Sequence, residues 1–135
     1  MITQKTNSYH RKEKLKSRKL IDEVFTKGKS ISVFPIRAFY ICSVQAAMDN
    51  PVKASAGTST RNFKKAVQRN RVKRLLREAY RKNKEILYSA CEEKKNQLAV
   101  FFLFTGKEIL PYSLIESKMK ILLDKLSNEM VTQNT

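Results

Sequence analysis

The apolar residues of this chain change period several times along its length, and each change marks an element. Residues 1–13 show no apolar rhythm and read as a flexible, basic N-terminal tail. Over residues 18–27, Leu20, Ile21, Val24 and Phe25 recur at the spacing of one helical face. Ser17 is placed to cap this helix and Gly28 to end it. Residues 30–43 are rich in Ile, Val, Phe and Tyr and read as strand. Pro35 interrupts that stretch. It has no amide N–H to give a central ladder, so a short strand before it, or a bulge, is expected. After the proline, alternation puts Ile36, Ala38, Tyr40 and Cys42 on one face and Arg37, Phe39 and Ile41 on the other. Residues 45–51 read as loop. Residues 52–60 read as a weaker strand, in which Gly57 signals close backbone packing or a bulge.

A long helix is predicted from 64 or 65 to 86. Val72, Leu75, Leu76, Ala79 and Tyr80 share its apolar side. Asn70, Arg71, Lys73, Arg74, Arg77 and Arg81 fill the opposite side, and Arg69 falls at the seam. The run LAVFFLF at 98–104 is short, unbroken and aromatic, which predicts a strand that is central or covered on both faces. Thr105 and Gly106 end it. After Pro111 a last helix carries Ile115, Met119, Leu122, Leu126 and Met130 as its stripe, with Leu123 at the margin. Residues 131–135 are expected to fray. The order αβββαβα makes an α+β domain spanning 14–130, a sheet with helices packed on it. The helix between 60 and 98 can join two parallel strands, and by the general rule such a crossover is right-handed.

Composition narrows the partner. The chain has 135 residues, enough for one domain, and 28 Lys and Arg against 12 Asp and Glu give a net charge of +16. Such an excess attracts polyanions, with nucleic acid first, a membrane surface second and an acidic protein third. No run of apolar residues is long enough to span a membrane, and the first residues lack the apolar core of a signal peptide, so the cytoplasm is the expected compartment. Cys42 and Cys91 are expected to be reduced. His10, in the tail, is the only histidine, so a zinc site is not supported.

The charge is concentrated where the long helix lies. Residues 61–84 hold eleven Lys and Arg against one acid, Glu78. A face that is merely solvated usually mixes signs to gain pairing. Closely spaced cations instead neutralise phosphates and release counterions, and arginine forks onto phosphate oxygens. Lys5, Arg11, Lys12, Lys14 and Lys16 are candidates to extend the patch. Phe25, Phe34, Phe39, Tyr40 and Phe63 are candidates to stack on unpaired bases, each competing with a core role. Phe39 leads among them because it shares a strand face with Arg37. No protein catalytic motif is present. There is no GxSxG, HExxH or GxxxxGK[ST], and the adjacent acids Asp22-Glu23 and Glu92-Glu93 point different ways on a helix. On these grounds hydrolysis by the protein itself is not supported, and the chain reads as a non-enzymatic structured-RNA-binding protein such as a ribosome-associated factor, or a nonspecific DNA binder.

One segment separates these readings. Residues 66–78, AVQRNRVKRLLRE, resemble the RNR signature of the bacterial ribonuclease P protein family. Upstream, residues 58–67 resemble the family's Ser-x-Ser-Lys-Lys-x-x-Lys-Ala-Val run. The pattern Phe-x-x-Val-Phe-x-x-Gly is matched at Ile21, Val24, Phe25 and Gly28, after Lys14-Leu15-Lys16. The resemblance covers about residues 14–126. It implies a small α/β sandwich like the second domain of a ribosomal small-subunit protein, with an unusual left-handed βαβ crossover. It also implies a subunit that does not itself catalyse: a large ribonuclease P RNA cleaves precursor tRNA using bound Mg2+, held mainly by that RNA. Arg69, Asn70, Arg71, Lys73, Arg74 and Arg77 would then contact the catalytic RNA. Phe25, Arg37, Phe39, Arg61 and Lys65 would line the cleft that grips the 5′ leader. No membrane and no obligate protein partner are implied. The sequence departs from the family pattern at Ile21, where the family has a cleft-side phenylalanine, at Asn62, where the family has a second lysine, and at Lys64, where the family has a glycine.

Overall fold

Pro35 divides the first strand region in two. Val33 pairs with Ile36 across a turn made by Phe34 and Pro35, whose peptide bond is cis. The proline therefore sits in a hairpin turn, where no ladder hydrogen bond is required of it. The structure is a computed structural model that describes residues 13–42, 51–94 and 97–133. It contains α1 (Arg18–Lys27), β1 (Lys29–Val33), β2 (Ile36–Cys42), β3 (Val52–Thr58), α2 (Ala66–Asn83), α3 (Glu85–Lys94), β4 (Leu98–Phe104) and α4 (Tyr112–Gln133). Residues 1–12 of the expected tail and 45–50 of the expected loop lie outside the described residues, as does the side chain of Met130.

The four strands form one sheet in the order β1-β2-β4-β3. β1 with β2 and β2 with β4 are antiparallel, while β3 with β4 is parallel. β4 is thus central, as its unbroken apolar run predicts. One sheet face, with Ile36, Ala38, Tyr40, Val100, Phe102 and Phe104, is covered by α2, α3 and α4. These helices contribute Val72, Leu76, Ala79, Tyr80, Leu87, Ile115, Met119, Leu122 and Leu126 to the same core. Leu123, expected at the margin, is fully buried there. The other face carries a smaller cluster, in which Leu15 and Val24 pack on Ala99 with Ile41, Phe39 and Phe101 around them. That cluster is where α1 docks.

α1 begins and ends as its sequence dictates. The Ser17 hydroxyl accepts from the Leu20 amide at 3.3 Å. The Gly28 amide donates to Val24 O at 3.1 Å. A β-carbon at Gly28 would stand 2.3 Å from Val24 O and 2.6 Å from Tyr40 O, so only glycine lets the chain pass this closely from α1 into β1.

The single long helix expected to end at Ile86 is instead two, which makes the order αβββααβα. The break falls at Lys84, which turns inward and is only 8% exposed. Its ammonium lies 2.6 Å from Glu13 Oε1, and the Tyr88 hydroxyl donates to the same oxygen at 2.8 Å. Glu13, the last residue of the expected tail, is itself buried at 5% exposure. Two residues on, the Leu15 amide donates to Ala54 O at 2.9 Å and so covers part of the β3 edge. Beyond the break, Leu87, Ala90 and Cys91 bury the inner side of α3.

Candidate nucleic-acid interface

Because Val72, Leu76, Ala79 and Tyr80 face the core, α2 has one side left for solvent. Asn70, Arg71, Arg74 and Arg77 are exposed on it, and Lys73 is half-buried. Among the described residues no hydrogen bond or ion pair engages these five side chains. Glu78, the only acid of the helix, is held by Arg81: Nη2 donates to Oε2 at 2.6 Å and Nε to Oε1 at 3.1 Å. That hydrogen bond holds the Glu78 carboxyl below the usual carboxylate range, and Lys82 Nζ stands 4.0 Å away. The acid is thus matched at the C-terminal end of the helix, and the Arg71–Arg74–Arg77 row stays cationic. Lys65 occupies the cap position without giving a side-chain cap, and both Lys64 and Lys65 are exposed. A helix N-terminus without a side-chain cap, flanked in sequence by lysines, favours an anion such as a phosphate.

Arg69 differs from its neighbours. Its Nη1 donates to Phe63 O at 2.9 Å and to Lys64 O at 2.7 Å. The guanidinium is folded back onto the loop that enters α2, and only its remaining N–H groups are open to a ligand. A second tie holds the same loop. Asn62 Nδ2 donates to Thr105 O at 3.4 Å and to Gly106 O at 3.3 Å, and the Asn62 amide donates to Ser59 Oγ at 3.2 Å. Asn62, standing where the family pattern has lysine, fastens the loop to the end of β4. At the glycine departure, Lys64 is exposed.

The second site element is the sheet face that α1 covers only in part. Antiparallel and parallel register place Ser30, Phe39, Phe101 and Ser55 in one row, and Ser32, Arg37, Leu103 and Gly57 in the next. Phe25 reaches down from α1 with its ring 4.7 Å from Phe39 and 5.0 Å from Phe101, and is still 42% exposed. Arg37 stands 5.1 Å over the Phe39 ring and donates to Ser30 Oγ at 3.3 Å. A β-carbon at Gly57 would come within 2.8 Å of the Phe101 ring, so the glycine makes room for that ring over β3. Three rings and a guanidinium on an open floor can stack a base and hold its phosphate.

The structure therefore brings Phe25, Arg37 and Phe39 together. Arg61 and Lys65 are exposed on the 59–65 loop, at the end of the sheet where the Arg37 row stands. Tyr40 and Phe63 belong to the core, at 2% and 4% exposure, and are not stackers. Phe101 was missed from sequence. In an unbroken apolar run nothing marks which residues face the cleft until register with Phe39 is known. Ile21 is half-buried in the small α1 cluster.

Other chemistry is thin. Among the described residues no group of three or more His, Cys, Asp or Glu side chains is placed to hold a metal ion. Cys42 and Cys91 are free thiols, and burial pushes them up to about 11 and about 12, far from the thiolate form at neutral pH. No helix among the described residues is long and apolar enough to cross a membrane.

Residues 9–127 match the family model described as Ribonuclease P. The chain is 31% identical over 131 residues to the ribonuclease P protein component of Porphyromonas gingivalis, covering 96% of this chain and 94% of that one. It is 30% identical over 129 residues to that of Chlorobium phaeobacteroides, covering 89% and 88%. Its fold matches the RNase P protein of Staphylococcus aureus with a TM-score of 0.62 at 14% identity, over 84% of this chain and 94% of that one. With a cation-faced RNR helix, an aromatic cleft and a match along almost its whole length, this chain belongs to the bacterial ribonuclease P protein family.

Proposed function

We propose that this subunit of ribonuclease P uses its two open surfaces for two different RNAs. As a family member it assists an RNA-catalysed removal of the tRNA 5′ leader and is not the catalyst itself. In our reading the α2 face, with Asn70, Arg71, Lys73, Arg74 and Arg77, docks on the ribonuclease P RNA. Arg69 contributes mainly by fixing the loop before the helix. The cleft of Phe25, Phe39, Phe101 and Arg37 takes the leader of precursor tRNA, with Arg61 and Lys65 at its end. Magnesium is held mainly by the RNA, where it supplies an activated water. The chain supplies cations that screen repulsion between the two RNAs and rings that hold the leader. We also read the sandwich as that of the ribosomal small-subunit domain, with a left-handed β3-to-β4 crossover, and place the subunit in the cytoplasm.

The observation that carries this reading is the cation row on α2, unpaired among the described residues, lying on the same domain as an open ring-and-arginine floor. Reconstitution tests it. The protein alone is expected not to cleave precursor tRNA. With its cognate RNA it should raise cleavage at low salt, and should raise affinity for precursor over mature tRNA. If the protein raises affinity for both tRNAs equally, the leader assignment is wrong.

A further inference from the structure

We propose that the tip of the β1–β2 hairpin is a base-stacking station, at which Phe34 holds an unpaired nucleobase of the leader where the strand leaves the cleft. This rests on the leader reading above and extends it to a residue outside the cleft.

Phe34 is 67% exposed, far more than the core aromatics. The backbone that carries it is nevertheless firmly seated. Its neighbour Pro35 is buried, and Pro35 O accepts from the Thr105 amide at 2.7 Å and from the Thr105 hydroxyl at 3.2 Å. A β-carbon on Gly106 would touch Pro35 Cβ at 3.4 Å. Asn62 donates to the carbonyls of Thr105 and Gly106, so the hairpin tip, the end of β4 and the 59–65 loop are bound into one block. That block carries exposed Arg61, Lys64 and Lys107, with Glu108 as its one exposed acid. An exposed ring on a fixed backbone, in a block that also carries cations, suits unpaired nucleic acid, because the backbone under the ring is already ordered and the phosphate finds a charge on the same block.

The position relative to the cleft names the occupant. Along β2 the cleft floor runs from Phe39 to Arg37, and the next turn of the chain toward the sheet end is Pro35 and Phe34. A strand with one base on Phe39 and its phosphate near Arg37 is therefore led to the hairpin tip. The ring takes any base, since every base has a stacking face.

The test uses the full chain reconstituted with its cognate RNA, and precursor tRNAs in which one leader nucleotide at a time is abasic. Phe34 lies outside the core, so Phe34→Ala and Phe34→Trp should fold with unchanged Tm. On the intact leader, Phe34→Ala should lose about five- to a hundred-fold in affinity, while Phe34→Trp keeps it. At one abasic position wild type and Phe34→Ala should bind alike, since the base that the ring would hold is gone. Equal affinities on the intact leader would overturn the proposal. So would a loss of the same size at every abasic position, or on the RNA subunit without precursor, because the ring would then serve another RNA. If wild type itself gains nothing from the leader, the cleft reading falls first. If wild type gains and Phe34→Ala gains equally, only the stacking station falls.

Discussion

Arg69 and Arg71 stand two residues apart in the RNR segment and have different surroundings. Arg69 spends Nη1 on the carbonyls of Phe63 and Lys64, whereas Arg71 is exposed and has no such partner among the described residues. A charged donor on a half-buried carbonyl pair stabilises by about 1–2 kcal/mol, and an exposed arginine contributes within about 0.5 kcal/mol. Arg69→Ala should therefore lower stability in urea unfolding by about 1–2 kcal/mol and also weaken RNA binding. Arg71→Ala should weaken RNA binding with stability unchanged. Equal stabilities for the two variants would show that the Arg69 contacts hold nothing. The helical phase of the sequence places Arg69 at the seam between the apolar and cationic sides. It does not reveal the two carbonyls, because they belong to a loop whose path depends on Asn62 reaching the end of β4.

At the scale of elements, the junction between α2 and α3 depends on a buried ion pair. Lys84 and Glu13 are 8% and 5% exposed, 2.6 Å apart, with the Tyr88 hydroxyl on the same carboxylate oxygen. Removing one partner of such a pair costs about 3–5 kcal/mol, because the other charge stays desolvated, whereas replacing both by apolar groups costs far less. Glu13→Ala should thus lower unfolding stability by about 3 kcal/mol, and Glu13→Ala with Lys84→Met should recover most of that loss. A Glu13→Ala change of under about 0.5 kcal/mol, the size of a surface substitution, would refute the latch. This junction is also where sequence reasoning stopped short. The strands, α1, α2 and α4 follow from period and punctuation, and the faces of β2 from simple alternation. The break at Lys84 does not, since a lysine in a helical run reads as solvated, and its partner lies 71 residues earlier in a segment that reads as tail. Phe101 was hidden for the matching reason, that only strand register assigns its side chain to the cleft.

For the whole molecule, the net charge of +16 guarantees attraction to any polyanion, so affinity alone says little about which surface is used. The salt dependence says more. Each phosphate neutralised by a cation releases counterions, and contributes about 0.7–0.9 to the slope of log affinity against log salt. Only cations that meet a phosphate count. Arg71, Arg74 and Arg77 are exposed in one row without protein partners among the described residues, while Arg81, on the same helix, is already matched by Glu78. Arg71→Ala, Arg74→Ala and Arg77→Ala should each reduce the slope for binding the ribonuclease P RNA by about 0.7–0.9, and Arg81→Ala by much less. The four variants have the same net charge, so titration at several salt concentrations separates position from charge. Equal reductions for Arg71→Ala and Arg81→Ala would mean that the RNA responds to the charge of the whole domain and not to the row on α2.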